Sequence, residues 1–186
     1  IWCQEGHHPP LYDHRNLVLF GKCPMNEEEL ASRHIWVPKV RAAVKDRALW
    51  LLYLYRSFSE ILPAQEVEAR MRAAIRQFGA RKGRNDAAGF NADKWADNHR
   101  NKGSADVFDS NQVRGTGHYE QQMQICPLVD LWREEGCSAV EVSLLCDIAM
   151  EGDRGRAEYH GLKMELPATL ADGASCCRLI VTDPTA

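Results

Sequence analysis

The sequence predicts an α+β fold, with a helical N-terminal half packed on a small antiparallel sheet that ends in a C-terminal β-hairpin. Three observations predict it. Apolar residues recur at helical spacing within residues 26–80, apolar and polar residues alternate over 159–166, and a second apolar strand follows a turn at 171–174. With 186 residues, of which 45% are hydrophobic, the chain is long enough for one domain with its own core. We therefore treat residues 1–186 as a single domain.

Charge and hydropathy argue against two classes of partner. The chain has 23 Lys and Arg against 26 Asp and Glu, so it lacks the excess positive charge that neutralises nucleic-acid phosphates. Its longest apolar run, residues 48–55, is far shorter than the roughly 20 residues of a membrane span and predicts a core helix. Seven cysteines, an odd number, favour a reducing compartment over a disulfide framework. We expect a cytoplasmic protein with a small-molecule partner, and a homo-oligomer is left open.

The N-terminal elements follow from prolines and capping residues. Residues 1–25 hold several prolines and histidines with little periodicity, which predicts an irregular arm. Asn26, with Glu29 three residues on, has the form of a helix N-cap. Pro38 either interrupts that helix or begins a second one, which would run to about Ile61.

Pro63 opens the next predicted helix, an amphipathic one. Its apolar positions at helical spacing are Val67, Met71, Ala74, Ile75 and Phe78. Residues 80–103 then turn polar and glycine-rich, with Phe90 and Trp95 as apolar anchors. This composition predicts a long polar loop, either a lid over a site or a poorly ordered insertion.

Residues 104–186 form the predicted Cys-containing α+β core. The stretch 107–125 is extended in part and predicts one or two strands. Pro127 then suits the first turn of a short helix that stops at Gly136.

A second helix and the closing hairpin complete this core. Ser138 with Glu141 repeats the capping-box form and starts a helix over 139–150, which the glycines within 152–155 are expected to break. The hairpin strands then follow at 159–166 and 176–181.

Four cysteines of this core carry the functional question. Cys126 lies at a strand-to-helix junction, where a helix N-terminus lowers the pKa of a thiol. Cys146 lies near the end of the capped helix. Cys176 and Cys177 point to opposite faces of a regular strand, so only one can join the other two thiols, and we expect Cys177. Such thiols can coordinate a metal, supply a nucleophile or fill the core.

Two further residues are candidates for acid–base chemistry. Asp147 lies beside an apolar helix face, either as a hydrogen-bonded core group or as a general acid or base whose pKa is raised by desolvation. A cysteine nucleophile also needs an activating base, and His118 is the histidine best placed in the sequence to serve Cys126.

Zinc is a candidate cofactor, because three thiolates with a histidine or a carboxylate satisfy tetrahedral coordination. The short C-x-x-C spacing of common zinc sites is absent, however. Candidate ligands are Cys126, Cys146, Cys176, Cys177, His118 and His160. Phosphate-binding glycine loops and the G-x-S-x-G elbow are also absent, so nucleotide-dependent and serine-hydrolase chemistry have little support.

The stretch from His118 to Val181 resembles the C-terminal signature of the L-2-amino-thiazoline-4-carboxylic acid hydrolase family. In that family an extended segment ends in a Cys, a short helix closes at a Gly, and a second helix carries a Cys and an Asp. A hairpin follows, with another Cys after a small-residue turn. Here these features fall on Cys126, Gly136, Cys146, Asp147, the turn 172–175, Cys176 and Cys177. The helical segment 48–78 is similar to the family's helical N-terminal half.

The resemblance implies hydrolysis of a C–N bond in a small cyclic amidine, similar to a thiazoline carboxylate. It implies nucleophile or ligand roles for Cys126, Cys146 and Cys177, a general acid or base in Asp147, and a supporting role for His118. The order of Cys, helix, Cys and hairpin is also similar to that of zinc-containing 4-vinyl reductase-type domains, which would make the chain a non-enzymatic small-molecule sensor. A third reading is an interaction protein whose cysteines only fill the core.

Overall fold

The computed structural model describes residues 18–20 and 27–184. Within this part the chain is α+β as predicted, with six α-helices and one five-stranded antiparallel sheet. Of the predicted arm, Val18–Phe20 form a strand, and the rest of the arm and the predicted cap Asn26 lie outside the described residues. No helix of the described ranges has the length and apolar character needed to cross a bilayer.

After a first short strand, helices and strands follow one another in groups. In chain order they are β1 (Val18–Phe20), α1 (Glu27–Ser59), α2 (Ala64–Arg84), α3 (Ala92–Asn101), α4 (Ser104–Val107), β2 (Ser110–Gly115), β3 (His118–Met123), α5 (Pro127–Glu134), α6 (Ala139–Tyr159), β4 (Lys163–Ala168) and β5 (Cys177–Thr182). A single 3-10 turn, Leu170–Asp172, lies between the two hairpin strands.

The sheet has the order β1-β2-β3-β5-β4, and β3 lies at its centre. Met123 lies opposite Cys177 and His118 lies opposite Thr182 in the β3–β5 pair. Because side chains alternate along a strand, Cys177 and His118 project from opposite faces of the sheet. The Cys177 face packs against the core that includes Trp95 of α3.

Helices α2 and α6 are in close backbone contact at several glycines. A Cβ added to Gly79 would overlap the carbonyl oxygen of Gly152, at a distance more than 1 Å shorter than the 3.0 Å below which real Cβ contacts essentially never fall. A Cβ added to Gly155 would overlap the carbonyl oxygen of Arg76. Gly83 has no room either, because the Tyr159 ring lies against it. We call these four glycines the glycine seam. The glycines within 152–155 do not break α6, as the sequence had suggested, because they let two helix backbones meet.

Residues 80–103 are not the predicted polar loop or lid. Helix α2 continues to Arg84, and α3 fills Ala92–Asn101. Asn91 caps α3, and its Oδ1 accepts a hydrogen bond from the Lys94 backbone N–H at 3.0 Å. Trp95 is fully buried, so this polar segment is an amphipathic helix with an aromatic anchor.

The other differences concern helix boundaries. Pro38 neither interrupts α1 nor starts a new helix, and lies inside one continuous helix. Helix α6 extends to Tyr159, so the first hairpin strand begins at Lys163 instead of residue 159. The apolar run 48–55 is buried on one side only: Leu52 has no exposed surface, whereas Trp50 is 76% exposed.

Candidate active site

Three thiols, one just before α5, one on α6 and one at the start of β5, lie within reach of one another's charge. A thiolate at Cys126 or Cys177 would raise the pKa of Cys146, and one at Cys126 would raise that of Cys177. We call these three residues the thiol cluster. Cys177 is the member of the adjacent pair that lies in it. Cys176 is disulfide-bonded and is not a free thiol, which differs from the expectation of reduced cysteines throughout.

Burial keeps the thiol cluster protonated. It raises the pKa of Cys146 to about 12 and that of Cys177 to about 11. Burial also raises the pKa of Cys126. The backbone N–H groups of Leu128 and Val129 at the start of α5 lower the pKa of Cys126 by less than burial raises it, and the Cys126 side chain makes no capping hydrogen bond. The helix N-terminus therefore does not make Cys126 the reactive thiolate that its sequence position suggested.

A cavity of about 770 Å³ opens beside Cys146, within the size range of small-molecule sites. Cys146 is the member of the thiol cluster that lines it. The polar residues around it come from α2, α5, α6 and the turn after β4. They are Arg72, Arg133, Ser143, Asp147, Arg154, Thr169 and Asp172.

Asp147 is held in the cavity wall by two arginines. Its Oδ2 lies 2.6 Å from Arg72 Nη1 of α2, and its Oδ1 accepts a hydrogen bond from Arg154 Nη2 of α6. Burial raises the pKa of this carboxyl, but the hydrogen bonds from Arg154 and Arg72 outweigh burial and bring it below its usual range. Of the two alternatives for Asp147, the structure therefore favours the hydrogen-bonded group over the desolvated carboxyl with raised pKa.

A second carboxylate, Asp172, faces the thiols from the 3-10 turn. It accepts hydrogen bonds from Ser143 Oγ at 2.5 Å and from Thr169 Oγ1 at 2.6 Å. These two hydrogen bonds lower its pKa, so it is also ionised near neutral pH. The negative charge of Asp172 raises the pKa of Cys146 and of Cys177, because it disfavours a thiolate nearby.

Arg133 of α5 supplies positive charge beside the thiols. Its guanidinium opposes the rise in the pKa of Cys126 and of Cys177. Arg133 Nη2 donates a hydrogen bond to the Leu170 carbonyl at 2.7 Å, and the Leu170 N–H donates to Cys177 Sγ at 3.1 Å. Within the described chain no carboxylate forms an ion pair with Arg133. Its guanidinium lines the cavity without a described carboxylate partner.

The two candidate histidines lie away from the thiol cluster. His118 projects from the sheet face opposite Cys177 and is five residues from Met123, or about 17 Å along β3. Burial lowers its pKa. His160 caps α6 about 21 Å beyond Cys146, with its Nε2 3.1 Å from Asp86 Oδ2. Neither histidine is placed to activate a thiol of the cluster.

The candidate zinc ligands do not assemble into a site. In the described ranges, no group of three or more His, Cys, Asp or Glu side chains is arranged to hold a metal ion. Cys176 is engaged in a disulfide, and His118 and His160 lie far from the thiols. These residues therefore do not fit a zinc ion.

Sequence reasoning missed the charged residues of the cavity other than Asp147. Arg72 belongs to the polar side of an amphipathic helix, where an arginine is typical of a solvated face. Asp172 had a local signal, because Thr169 three residues before it and Gly173 after it, with φ of 87°, form a capped turn. Arg133 and Arg154 carried no such signal, since only tertiary packing brings them to the cavity.

Comparison with known proteins gives one result. Residues 41–181 match the family model described as L-2-amino-thiazoline-4-carboxylic acid hydrolase. The match spans most of the chain, beyond the C-terminal third in which the resemblance is visible by eye, and it includes every residue that lines the cavity. No curated protein and no solved structure matches the chain.

Proposed function

The chain belongs to the L-2-amino-thiazoline-4-carboxylic acid hydrolase family, and we propose that it opens a C–N bond of a small cyclic amidine carrying a carboxylate, with Cys146 as nucleophile. One observation carries the proposal. Cys146 is the thiol of the cluster that lines the cavity, and it does so between ionised carboxylates and a guanidinium.

The charges of the cavity suit such a substrate. A cyclic amidine is a cation when protonated, so an amidine acid is a zwitterion. Asp172 lies beside Cys146 and would accept hydrogen bonds from the amidinium. Arg133, which forms no ion pair with a described carboxylate, offers a planar fork for the substrate carboxylate. Asp147 is less available, because both of its oxygens already bind arginines.

A protonated resting thiol fits a reaction that begins when the cationic substrate binds. An amidinium next to Cys146 favours the thiolate, because opposite charge lowers the pKa of an acid. Sulfur then bonds to the amidine carbon, and Asp172 takes the thiol proton. As the ring C–N bond breaks, the departing nitrogen receives this proton.

Water completes the cycle. It attacks the same carbon, the bond to Cys146 Sγ breaks, and sulfur takes a proton back, so one water is consumed for each ring opened. We assign proton transfer to Asp172 in preference to Asp147, because hydroxyl groups hold the oxygens of Asp172, whereas two guanidinium cations hold those of Asp147. Cys177 has a supporting role, because its sulfur accepts the Leu170 N–H in the turn that carries Asp172.

The deciding experiment compares Cys146→Ala with Cys137→Ala. Cys137 is also a free, partly buried thiol, but it accepts a hydrogen bond from Arg56 and does not line the cavity. Turnover of L-2-amino-thiazoline-4-carboxylate is followed by mass spectrometry, with thermal unfolding as the test of folding. We expect Cys146→Ala to lose at least about a thousandfold in kcat, the scale of covalent catalysis, and Cys137→Ala to keep it. A fully active, folded Cys146→Ala protein would refute the proposal.

A covalent intermediate gives a second readout. Acid quench during turnover, followed by intact-mass measurement, should show substrate mass on the wild-type chain and none on Cys146→Ala. A cytoplasmic location stays a prediction: the free thiols Cys126, Cys137, Cys146 and Cys177 favour it, whereas the disulfide at Cys176 argues against it.

A further inference from the structure

The second half of α1 and the turn that follows it carry an apolar stripe on the side that faces away from the core. Its members follow helical spacing and are 42% to 76% exposed. They are Trp50, Tyr53, Leu54, Phe58 and Ile61, which we call the outer stripe. The opposite side of the same helix is buried, and Trp132 Nε1 of α5 donates a hydrogen bond to the Ala48 carbonyl at 3.0 Å.

The area of the outer stripe is large for a surface left in water. Aromatic side chains offer roughly 150–250 Å² each, so at these exposures the five residues present about 600 Å². This is at the upper limit of the largest apolar patch of a typical monomer. Two such faces together bury about 1,200 Å², the area at which specific interfaces begin.

We infer that a second copy of this chain covers the outer stripe, forming a two-fold dimer in which the two α1 helices run antiparallel. A two-fold contact requires one surface to complement itself. With the axis between Tyr53 and Leu54, Trp50 of each copy lies opposite the small Ser57 of the other. The Trp50 ring of each copy then packs against Ser57 of the other, once on each side of the axis.

Sedimentation of the full chain across micromolar concentrations tests the dimer. We expect a mass of about twice 21.0 kDa for the wild type. Leu54→Glu places two charges at the centre of the interface and should weaken the dimer at least about a hundredfold, leaving a folded monomer. Leu30→Glu is the matched control, because Leu30 is 44% exposed on the same helix, about 36 Å from Leu54, and should leave the dimer intact.

Two results would overturn the inference: a wild-type monomer throughout, or equal dissociation of the Leu54→Glu and Leu30→Glu variants. Circular dichroism of each variant separates dissociation from unfolding.

Discussion

Replacing Gly79 with Ala tests whether the glycine seam is a true backbone contact. The new Cβ would overlap the Gly152 carbonyl oxygen, more than 1 Å closer than the 3.0 Å that real Cβ contacts keep. A backbone oxygen cannot rotate away as a side chain can, so one helix must shift. We place the cost at the upper end of overpacking, about 3 kcal/mol, against about 1 kcal/mol gained from the helix preference of Ala over Gly. The free energy of unfolding should fall by about 2 kcal/mol, and Tm by about 4–8 °C.

Gly152→Ala is the control from the same seam, with the opposite sign. Its added Cβ meets Ile75 Cγ2 at 3.6 Å, an ordinary contact, so the variant should gain up to about 1 kcal/mol from helix propensity. Thermal and urea unfolding by circular dichroism measure both variants. If Gly79→Ala equals or exceeds the wild type in stability, or if Gly152→Ala loses as much as Gly79→Ala, the close contact is refuted.

Three further predictions concern the cavity. Arg133→Gln should raise KM for the amidine acid about tenfold or more with a smaller effect on kcat, because it removes a carboxylate partner; steady-state kinetics decide, and an unchanged KM would contradict that role. At pH 8, iodoacetamide should modify substrate-free Cys146 at least about tenfold more slowly than free cysteine, since a pKa of about 12 leaves little thiolate and its greater nucleophilicity compensates only in part. Asp147→Asn should destabilise the protein at pH 7, by an amount that shrinks as pH falls below about 3.9, because a carboxyl with lowered pKa stabilises the fold above its unfolded value and ceases to as pH falls through the folded value. Urea unfolding from pH 3 to 8 measures this difference, and a gap as large at pH 3 as at pH 7 would contradict it.

Local rules predicted the C-terminal elements well, because capping and alternation act within a few residues. Ser138 caps α6 by accepting the Glu141 N–H, and Pro127 begins α5, as the sequence indicated. The failures share one cause. Gly152 and Pro38 are helix breakers by propensity, and tertiary context overrides propensity in both helices.

The candidate site was predictable only where one element decided the outcome. Strand alternation indicated that only one of Cys176 and Cys177 joins the other thiols, because neighbouring residues of a strand project from opposite faces. Asp147 met Arg72 through the approach of α2 to α6, which no periodicity encodes. His118 was misplaced because its distance from Cys126 along the chain says nothing about the sheet face from which it projects.

The glycine seam has a consequence for the shape of the cavity. Arg72 lies two helical turns from Gly79, and Asp147 little more than one turn from Gly152, so backbone contact fixes the relative position of these two side chains. Helices that meet backbone to backbone have no flexible side chains between them to rearrange. We therefore expect any adjustment of the cavity to a ligand in the opposite wall, at residues 169–173.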